Sequence, residues 1–420
     1  MKVNEVFIPG GLPTHTYNPR YEFELESKLR EYIDNGLKLL SITGPTKTGK
    51  TVLCRKLIPT KSSIWINGGQ IRDEMDFWNE IIESLDLFSS VSTNFREGTS
   101  EGVTGSTNAG INVGIAQLGG KVTGTVTKDQ ETSSSRGRQS NPRSVAMRGL
   151  ISKNIPLVID DFHYIAREIQ GPIVRALKPA IFDGARVVIL AVPHRAYDAV
   201  RVESEMNGRV QQLVVPDWNI EELTDIGQKG FPLLNISCSD AVLRKMADES
   251  FGSPHLMQEF CLKLCKEFDI KETEEMRKEI KDIPQISDFF QKIVSSISSR
   301  DVFERLSRGP RSHSDRIPRR FQDGTEGDIY SAVLHALANT GPKVKIPYEE
   351  IRTALRALLA DPPPQLHEIS RVLSNMEEIS RKLDRNPVID WDKENSLLYI
   401  SDPYFAFYLR WAVRSPADEY

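Results

Sequence analysis

Residues Gly44, Pro45, Thr46, Lys47, Thr48, Gly49, Lys50 and Thr51 follow the pattern G-x-x-x-x-G-K-[ST], and Val52 opens the run that comes next. The apolar stretch Leu39–Thr43 precedes them and Val52–Leu57 follows, so the pattern lies between a strand and a helix start, the setting a phosphate-binding loop requires. In such a loop successive backbone N–H groups and a helix N-terminus converge on phosphate oxygens, and the Lys50 ammonium reaches the terminal phosphates. The Thr51 hydroxyl is then a Mg²⁺ ligand. A second segment, Ile155–His163, is an apolar strand that ends in Asp160 and Asp161. A strand buried in a parallel sheet delivers such acids to the carboxyl edge. Asp160 is expected to hold Mg²⁺ through water opposite Thr51, and Asp161 to polarise the water that attacks a γ-phosphate. The same residues without a nucleotide would read as a Gly/Thr-rich surface turn and a helix N-cap.

A sheet must hold these groups. The stripe Leu25, Leu29, Tyr32 and Ile33 reads as a helix leading into the first strand, and Met75–Leu85 as an amphipathic helix. Ile64–Asn67, Arg186–Val192 and Gln211–Pro216 read as further strands. Strands alternating with helices imply an α/β domain: a parallel P-loop NTPase sheet covered by helices, over 1–218, with its ligand at the carboxyl ends. Within it, about 89–141 is an insertion rich in Gly, Ser and Thr. Ile111, Val113 and Ile115 alternate with small or polar residues ahead of Gly119–Gly120 and Val122–Val126, the pattern of a hairpin. A flexible linker is the competing reading; a projecting hairpin would contact a subunit, a partner or DNA, and Arg136, Arg138 and Arg143 favour an anionic contact.

Helical periodicity then takes over. Residues 219–299 read as an α-helical lid, with helix starts at Asn219, at Ser239 and after Gly252–Ser253–Pro254. Residues 300–325 form a linker broken by Gly and Pro that carries Arg300, Arg305, Arg308, Arg311, Arg316, Arg319 and Arg320. That cluster would bind nucleic acid, clamp an acidic neighbour or stay solvated. Residues 326–420 read as helix, short strand, helix, helix and two strands around Asp392–Asn395, a winged-helix domain. Its third helix sets Arg371, Arg381 and Lys382 against Glu368, Glu377 and Glu378, so its charge cancels where a phosphate-tracking face would be basic.

With 420 residues, 39% hydrophobic and 27% charged, the chain has room for two or three globular domains. A net charge of −4 gives no global field that demands a nucleic-acid partner. The N-terminus leads into no long apolar core and no segment approaches the roughly 20 apolar residues that span a bilayer, so the expectation is a cytoplasmic protein with no membrane partner. Four cysteines without a C-x-x-C pair argue against a disulfide framework or a zinc site.

The GPTKTGKT loop, the strand LVIDDFH, Arg195 after Leu190–Ala191–Val192, and the Gly252–Ser253–Pro254 turn together resemble STAND-type P-loop ATPases, a signalling branch close to the AAA+ proteins. The resemblance spans about Tyr17 to Phe268. It implies that Arg195 reads the γ-phosphate, that Pro254 with His255 closes over the nucleotide from the lid, and that Arg209 acts as an arginine finger on a neighbour's nucleotide. It also implies ATP or ADP with Mg²⁺ as cofactors. Asp161 is one methylene shorter than the glutamate of many relatives, so slow or partner-dependent hydrolysis is expected. The ending Ile400–Trp411 is similar to the last helix of the winged domain in such ATPases. No repeat sensor and no effector constellation accompanies these motifs, so the effector is expected on a separate polypeptide.

Two active functions remain open at this level, beside a degenerate binding module that never hydrolyses ATP. In one, the chain is an ATP-binding, slowly hydrolysing switch that self-associates on ATP and Mg²⁺ and regulates an effector protein; the resemblance points to a role in bacterial defence, antiviral defence included, or in stress response. In the other, it is a DNA-binding AAA+-like ATPase of the replication-initiator or transposition-regulator type, with nucleic acid held by the Arg300–Arg320 linker or the winged helix.

Overall fold

The computed structural model describes residues 1–87, 90–94, 135–192, 208–283, 285–310, 316–341, 343–383 and 387–414. Five strands build the central sheet: β1 (Leu39–Thr43), β2 (Ile64–Asn67), β5 (Leu157–Asp160), β6 (Val187–Ala191) and β7 (Val210–Val214), all parallel and ordered β2-β5-β6-β1-β7. Every residue of β1 and β6 is buried, as expected where helices cover both faces. Alternation along each strand divides the apolar residues between two cores. Leu157, Ile159, Val187 and Ile189 face the helices Glu74–Ser84, Pro142–Lys153 and Arg167–Phe182, whereas Val158, Val188 and Leu190 face Leu25–Asn35 and Lys50–Leu57. The N–H of Val187 donates to the Tyr32 hydroxyl, whose one proton is shared between Lys38 O and Val187 O, each at 2.8 Å, and the first of the helices Leu25–Asn35 and Lys50–Leu57 is tied to the sheet.

Strands β3 (Ser90–Asn94) and β4 (Ser135–Gln139) pair antiparallel, Ser90 with Gln139 through Asn94 with Ser135, and so bring the two ends of the insertion together. The hairpin expected at Ile111–Val126 lies outside the described residues.

The helices Ile220–Leu233, Asp240–Asp248, Pro254–Glu267 and Ile286–Ser295 share a third core, joined by the parallel pair β8 (Ile236–Cys238) and β9 (Lys278–Ile280). Asn219 and Glu222 make a reciprocal capping box at the start of the first of them. The N-terminal segment belongs here too. Val3, Val6 and Phe7 pack with Leu223, Phe231 and Leu256, away from the sheet domain to which residues 1–218 were assigned from sequence. Gly230 makes room for the Phe7 ring, since a Cβ there would come within 2.3 Å of it. Cys261 and Cys265 are buried in this core.

The C-terminal unit begins with the helix Ser299–Arg308 and the short pair β10 (Arg319–Arg320) and β11 (Glu326–Gly327). There follow the helix Ile329–Asn339, β12 (Lys345–Pro347), the helices Tyr348–Leu358 and Leu366–Leu383, then β13 (Ile389–Asp392), β14 (Leu397–Ile400) and the helix Pro403–Tyr408. The three strands form an antiparallel sheet ordered β12-β14-β13. The Arg-rich stretch is less a free connector than its Gly and Pro content implied. Arg300 and Arg308 pair with Glu304, Arg316 with Asp328, Arg319 with Glu368 and Arg320 with Asp361. Among the described residues, no helix is long and apolar enough to cross a membrane.

An aromatic joint fastens this unit to the third core. Phe290 lies 5.3 Å from Phe260, 5.7 Å from Phe407 and 4.7 Å from Trp411, ring centre to ring centre. Beside it the buried Glu249 accepts from Arg410 Nε at 3.0 Å and Trp411 Nε1 at 2.8 Å. Phe290→Ala is expected to cost about 3–5 kcal/mol and to loosen this joint. Limited proteolysis would then cut between residues 300 and 325 sooner in the variant; equal cleavage rates would show that the rings do not hold the two units together.

Candidate functional site

The loop Gly44–Gly49 leaves the carboxyl end of β1, which lies between β6 and β7, and turns into the helix Lys50–Leu57. Two left-handed residues shape it, Lys47 at φ 61° and Gly49 at φ 96°, the second as the N-cap of that helix. Gly44 packs against β7's end: a Cβ there would stand 2.5 Å from the Val215 carbonyl oxygen. Thr48 Oγ1 donates to Pro45 O at 2.8 Å and pins the turn from within.

Lys50 Nζ donates to Gly44 O at 2.7 Å and Pro45 O at 2.6 Å. Loss of solvent pushes the ammonium down to about 8, against the pull of Asp161 and Asp160. The next residue, Thr51, donates to Asp160 Oδ2 at 3.0 Å. Burial raises the Asp160 carboxyl, opposed first by the Thr51 hydrogen bond. Burial and then the neighbouring Asp160 raise Asp161 to about 6, with Lys50 opposing. Asp161 itself is left-handed at φ 55°, and Gly68 lies so near that a Cβ would meet the Asp161 carbonyl oxygen at 2.4 Å. Sheet pairing of Asn67 with Asp160 carries that glycine there.

A cleft of about 380 Å³ opens over the loop, lined by Thr46–Leu53, Asp161, Pro254, His255 and the segment from Ile8 to Arg20. Its size falls within the roughly 300–1,000 Å³ of small-molecule sites. Pro254 is the first residue of its helix, whose N-cap Ser253 accepts from Leu256 N, and so the lid's helix N-terminus faces the cleft. His255 is pushed down to about 4 by burial and then by the Lys47 ammonium, with Asp402 opposing.

Val52 lines the cleft beside the loop. Arg195 lies outside the described residues. Arg209 is exposed, and its carbonyl accepts from Leu39 N at the end of β1 opposite the loop, so it does not meet this chain's own cleft.

Three contributors gave no signal in sequence. The buried Arg20 donates to both Glu222 carboxylate oxygens and to the carbonyls of Pro216 and Asp217, and stacks near Trp218. Trp218 Nε1 donates to Thr48 O at 2.9 Å, so the connection between sheet and lid grips the loop directly. The C-terminal unit supplies the third: Lys47 Nζ lies 2.8 Å from Asp402 Oδ1 and 4.4 Å from the centre of the Tyr404 ring.

No family model matches this sequence, and no curated protein is significantly similar to it. Solved structures do match. A Walker-type ATPase of Pyrococcus abyssi is 13% identical, over 92% of this chain and 94% of that one, with a TM-score of 0.52. The ORC1 protein of Aeropyrum pernix, solved in complex with DNA, is 12% identical over 100% and 98%, with a TM-score of 0.44. A STAND protein of Pyrococcus horikoshii with a tetratricopeptide repeat sensor is 14% identical over 94% of this chain and 42% of that one, with a TM-score of 0.37. At these identities the likeness is one of fold, and the first carries it: the chain has a P-loop NTPase fold, a parallel five-stranded sheet covered by helices.

An imidazole held at about 4 in the fold and near 6.5 in the unfolded chain binds its proton more readily when unfolded. Stability therefore falls as pH drops from about 6.5 toward 4. His255→Gln is expected to remove about 1–2 kcal/mol of that acid sensitivity, measured as the difference in denaturant midpoints at pH 7 and pH 4.5. An unchanged difference would mean that His255 is not held neutral.

Proposed function

We propose that this chain is a nucleotide-gated switch that binds ATP or ADP with Mg²⁺ and hydrolyses ATP slowly. The observation that carries the reading is the meeting of Thr51 with Asp160, 3.0 Å apart, beside the desolvated Lys50 at the mouth of the cleft. These residues fit the absent groups. Among the described residues Lys50 has loop carbonyls and no carboxylate at ion-pair distance, which suits an ammonium that takes phosphate oxygens. The Thr51 hydroxyl and Asp160 carboxylate are oxygen donors of the kind Mg²⁺ prefers, brought together at one edge of the sheet.

Nucleotide and metal, when bound, supply a polarised phosphoryl group open to attack by water. The rest is done by the chain. The loop N–H groups and Lys50 bind and orient phosphates, Thr51 and Asp160 hold the cation, and Asp161 takes the proton of the attacking water. A carboxyl raised to about 6 is a fair proton acceptor near neutral pH, though its short side chain keeps turnover low. Pro254 and His255 close the cleft from the lid; Arg195 reads the terminal phosphate and Arg209 serves a neighbouring copy.

The sheet domain, lid, Arg-rich segment and C-terminal unit act as 1–218, 219–299, 300–325 and 326–420, except that the N-terminal strap packs with the lid and the helix Ser299–Arg308 with the C-terminal unit. In the C-terminal unit, the order helix, strand, helix, helix, strand, strand supports a winged helix. We read it as a STAND-like docking and inhibitory module, with self-association and a separate effector protein as partners. The DNA-binding alternative needs a basic face. Arg381 pairs with Glu377 and Lys382 with Glu378 on the third helix, and five arginines of the linker are paired as well, which favours the protein-docking reading.

Moving a switch from 1:99 to 99:1 takes about 5.5 kcal/mol of differential affinity, within reach of charge-assisted contacts to one further phosphate. Size-exclusion chromatography with light scattering is expected to give one mass with ADP and a larger one with a non-hydrolysable ATP analogue and Mg²⁺. Lys50→Ala should stay at the ADP mass under both conditions. An identical mass for the wild type in both nucleotides would defeat the assembly step.

A further inference from the structure

Lys47 holds the centre of the phosphate loop in a left-handed turn, and its ammonium reaches outward to the C-terminal unit. The carboxylate it meets is a fixed one. Asp402 is the N-cap of the helix Pro403–Tyr408, and the oxygen that takes Lys47 also accepts from Tyr404 N at 2.8 Å. The Tyr404 ring lies under the ammonium and meets the His255 ring edge-on at 5.4 Å, so loop, lid and C-terminal unit converge on one side chain.

The two attachments of the C-terminal helix differ in kind. Toward the lid it is anchored by the buried rings of Phe407 and Trp411 and by the Glu249–Arg410 pair. Toward the loop it offers the half-exposed pair Lys47–Asp402, whose side chains are 26% and 31% exposed. A part-solvated ion pair is weak and yields to a stronger anion, while a packed aromatic joint does not. A phosphate chain on the loop competes with Asp402 for Lys47 and is repelled by the same carboxylate. Both effects grow with the number of phosphates.

On the nucleotide reading above, we propose that Asp402 is a specificity-determining residue of the site: by holding Lys47 it lets the closed chain keep a diphosphate and sets a cost on a triphosphate. Lid and C-terminal unit would then leave the loop together, as one body, when the pair breaks.

The test is calorimetric binding of ADP and of adenylyl-imidodiphosphate, each with Mg²⁺, to the full chain and to Asp402→Asn. Asparagine caps a helix as well as aspartate does, so the substitution removes the charge and keeps the cap. Asp402→Asn is expected to bind the triphosphate analogue about tenfold more tightly, with ADP affinity changed by less than about threefold. In the wild type, raising salt from 50 to 500 mM should narrow the ratio of the two affinities, because screening weakens a part-exposed pair. That arm needs no variant. Equal changes for both nucleotides in Asp402→Asn, or a wild-type ratio indifferent to salt, would overturn the assignment while leaving nucleotide binding intact. Failure of the wild type to bind either nucleotide would remove the site itself and this inference with it.

Discussion

Lys50 carries its charge where loss of solvent works against it. Its ammonium lies at the carboxyl edge of a sheet buried on both faces, held by two carbonyls of its own loop. Taking an ion out of water costs several kcal/mol unless partners compensate, and here Asp160 and Asp161 do so at a distance while themselves being pushed up by burial. The three groups form a coupled set in which no member is fully at ease. Such a set is poised for a polyanion with a divalent cation, which would satisfy the ammonium and the carboxylates together.

The surrounding architecture serves that set. Parallel pairing of β1 with β6 and β7, and of β5 with β2 and β6, puts the loop and the two aspartates on the same edge. The close approaches at Gly44 and Gly68 fix their depth, because a side chain at either position would push the loop off Val215 or the acidic turn off its neighbour. Trp218 and Arg20 then carry the loop's position outward to the lid, through one hydrogen bond to Thr48 and a buried guanidinium that donates to Glu222 and to the carbonyls of Pro216 and Asp217. The loop is thus tied to the lid by directional contacts and to the C-terminal unit by an ion pair.

Much of the fold was legible along the chain. Five apolar strands, the helix starts at Asn219 and Ser239, and the helix and strand order of the C-terminal unit all occur close to where periodicity and capping residues put them. Hydrophobic period and cap chemistry are local, so a window of a dozen residues carries them. The N-terminal strap was misplaced because its apolar residues, Val3, Val6 and Phe7, mark burial without naming the surface that buries them. The arginine cluster stayed open between nucleic acid, an acidic neighbour and solvent for a related reason. Its partners Asp328, Asp361 and Glu368 are scattered along the chain and meet the arginines only after folding.

The sequence by itself determined the chemistry of the loop, since G-x-x-x-x-G-K-T and an apolar strand ending in Asp-Asp specify residue types, turn geometry and the sheet edge on which they stand. Only the tertiary structure decided what surrounds that loop. Asp402 lies 355 residues from Lys47 along the chain, and Arg20 lies 202 from Glu222. Such pairings leave no trace in local pattern, because a lone charge reads the same whether it ends in water or against a partner. The difference comes from the packed aromatic joint and the lid core, which bring distant segments within a few ångströms and turn ordinary surface residues into the walls of the site.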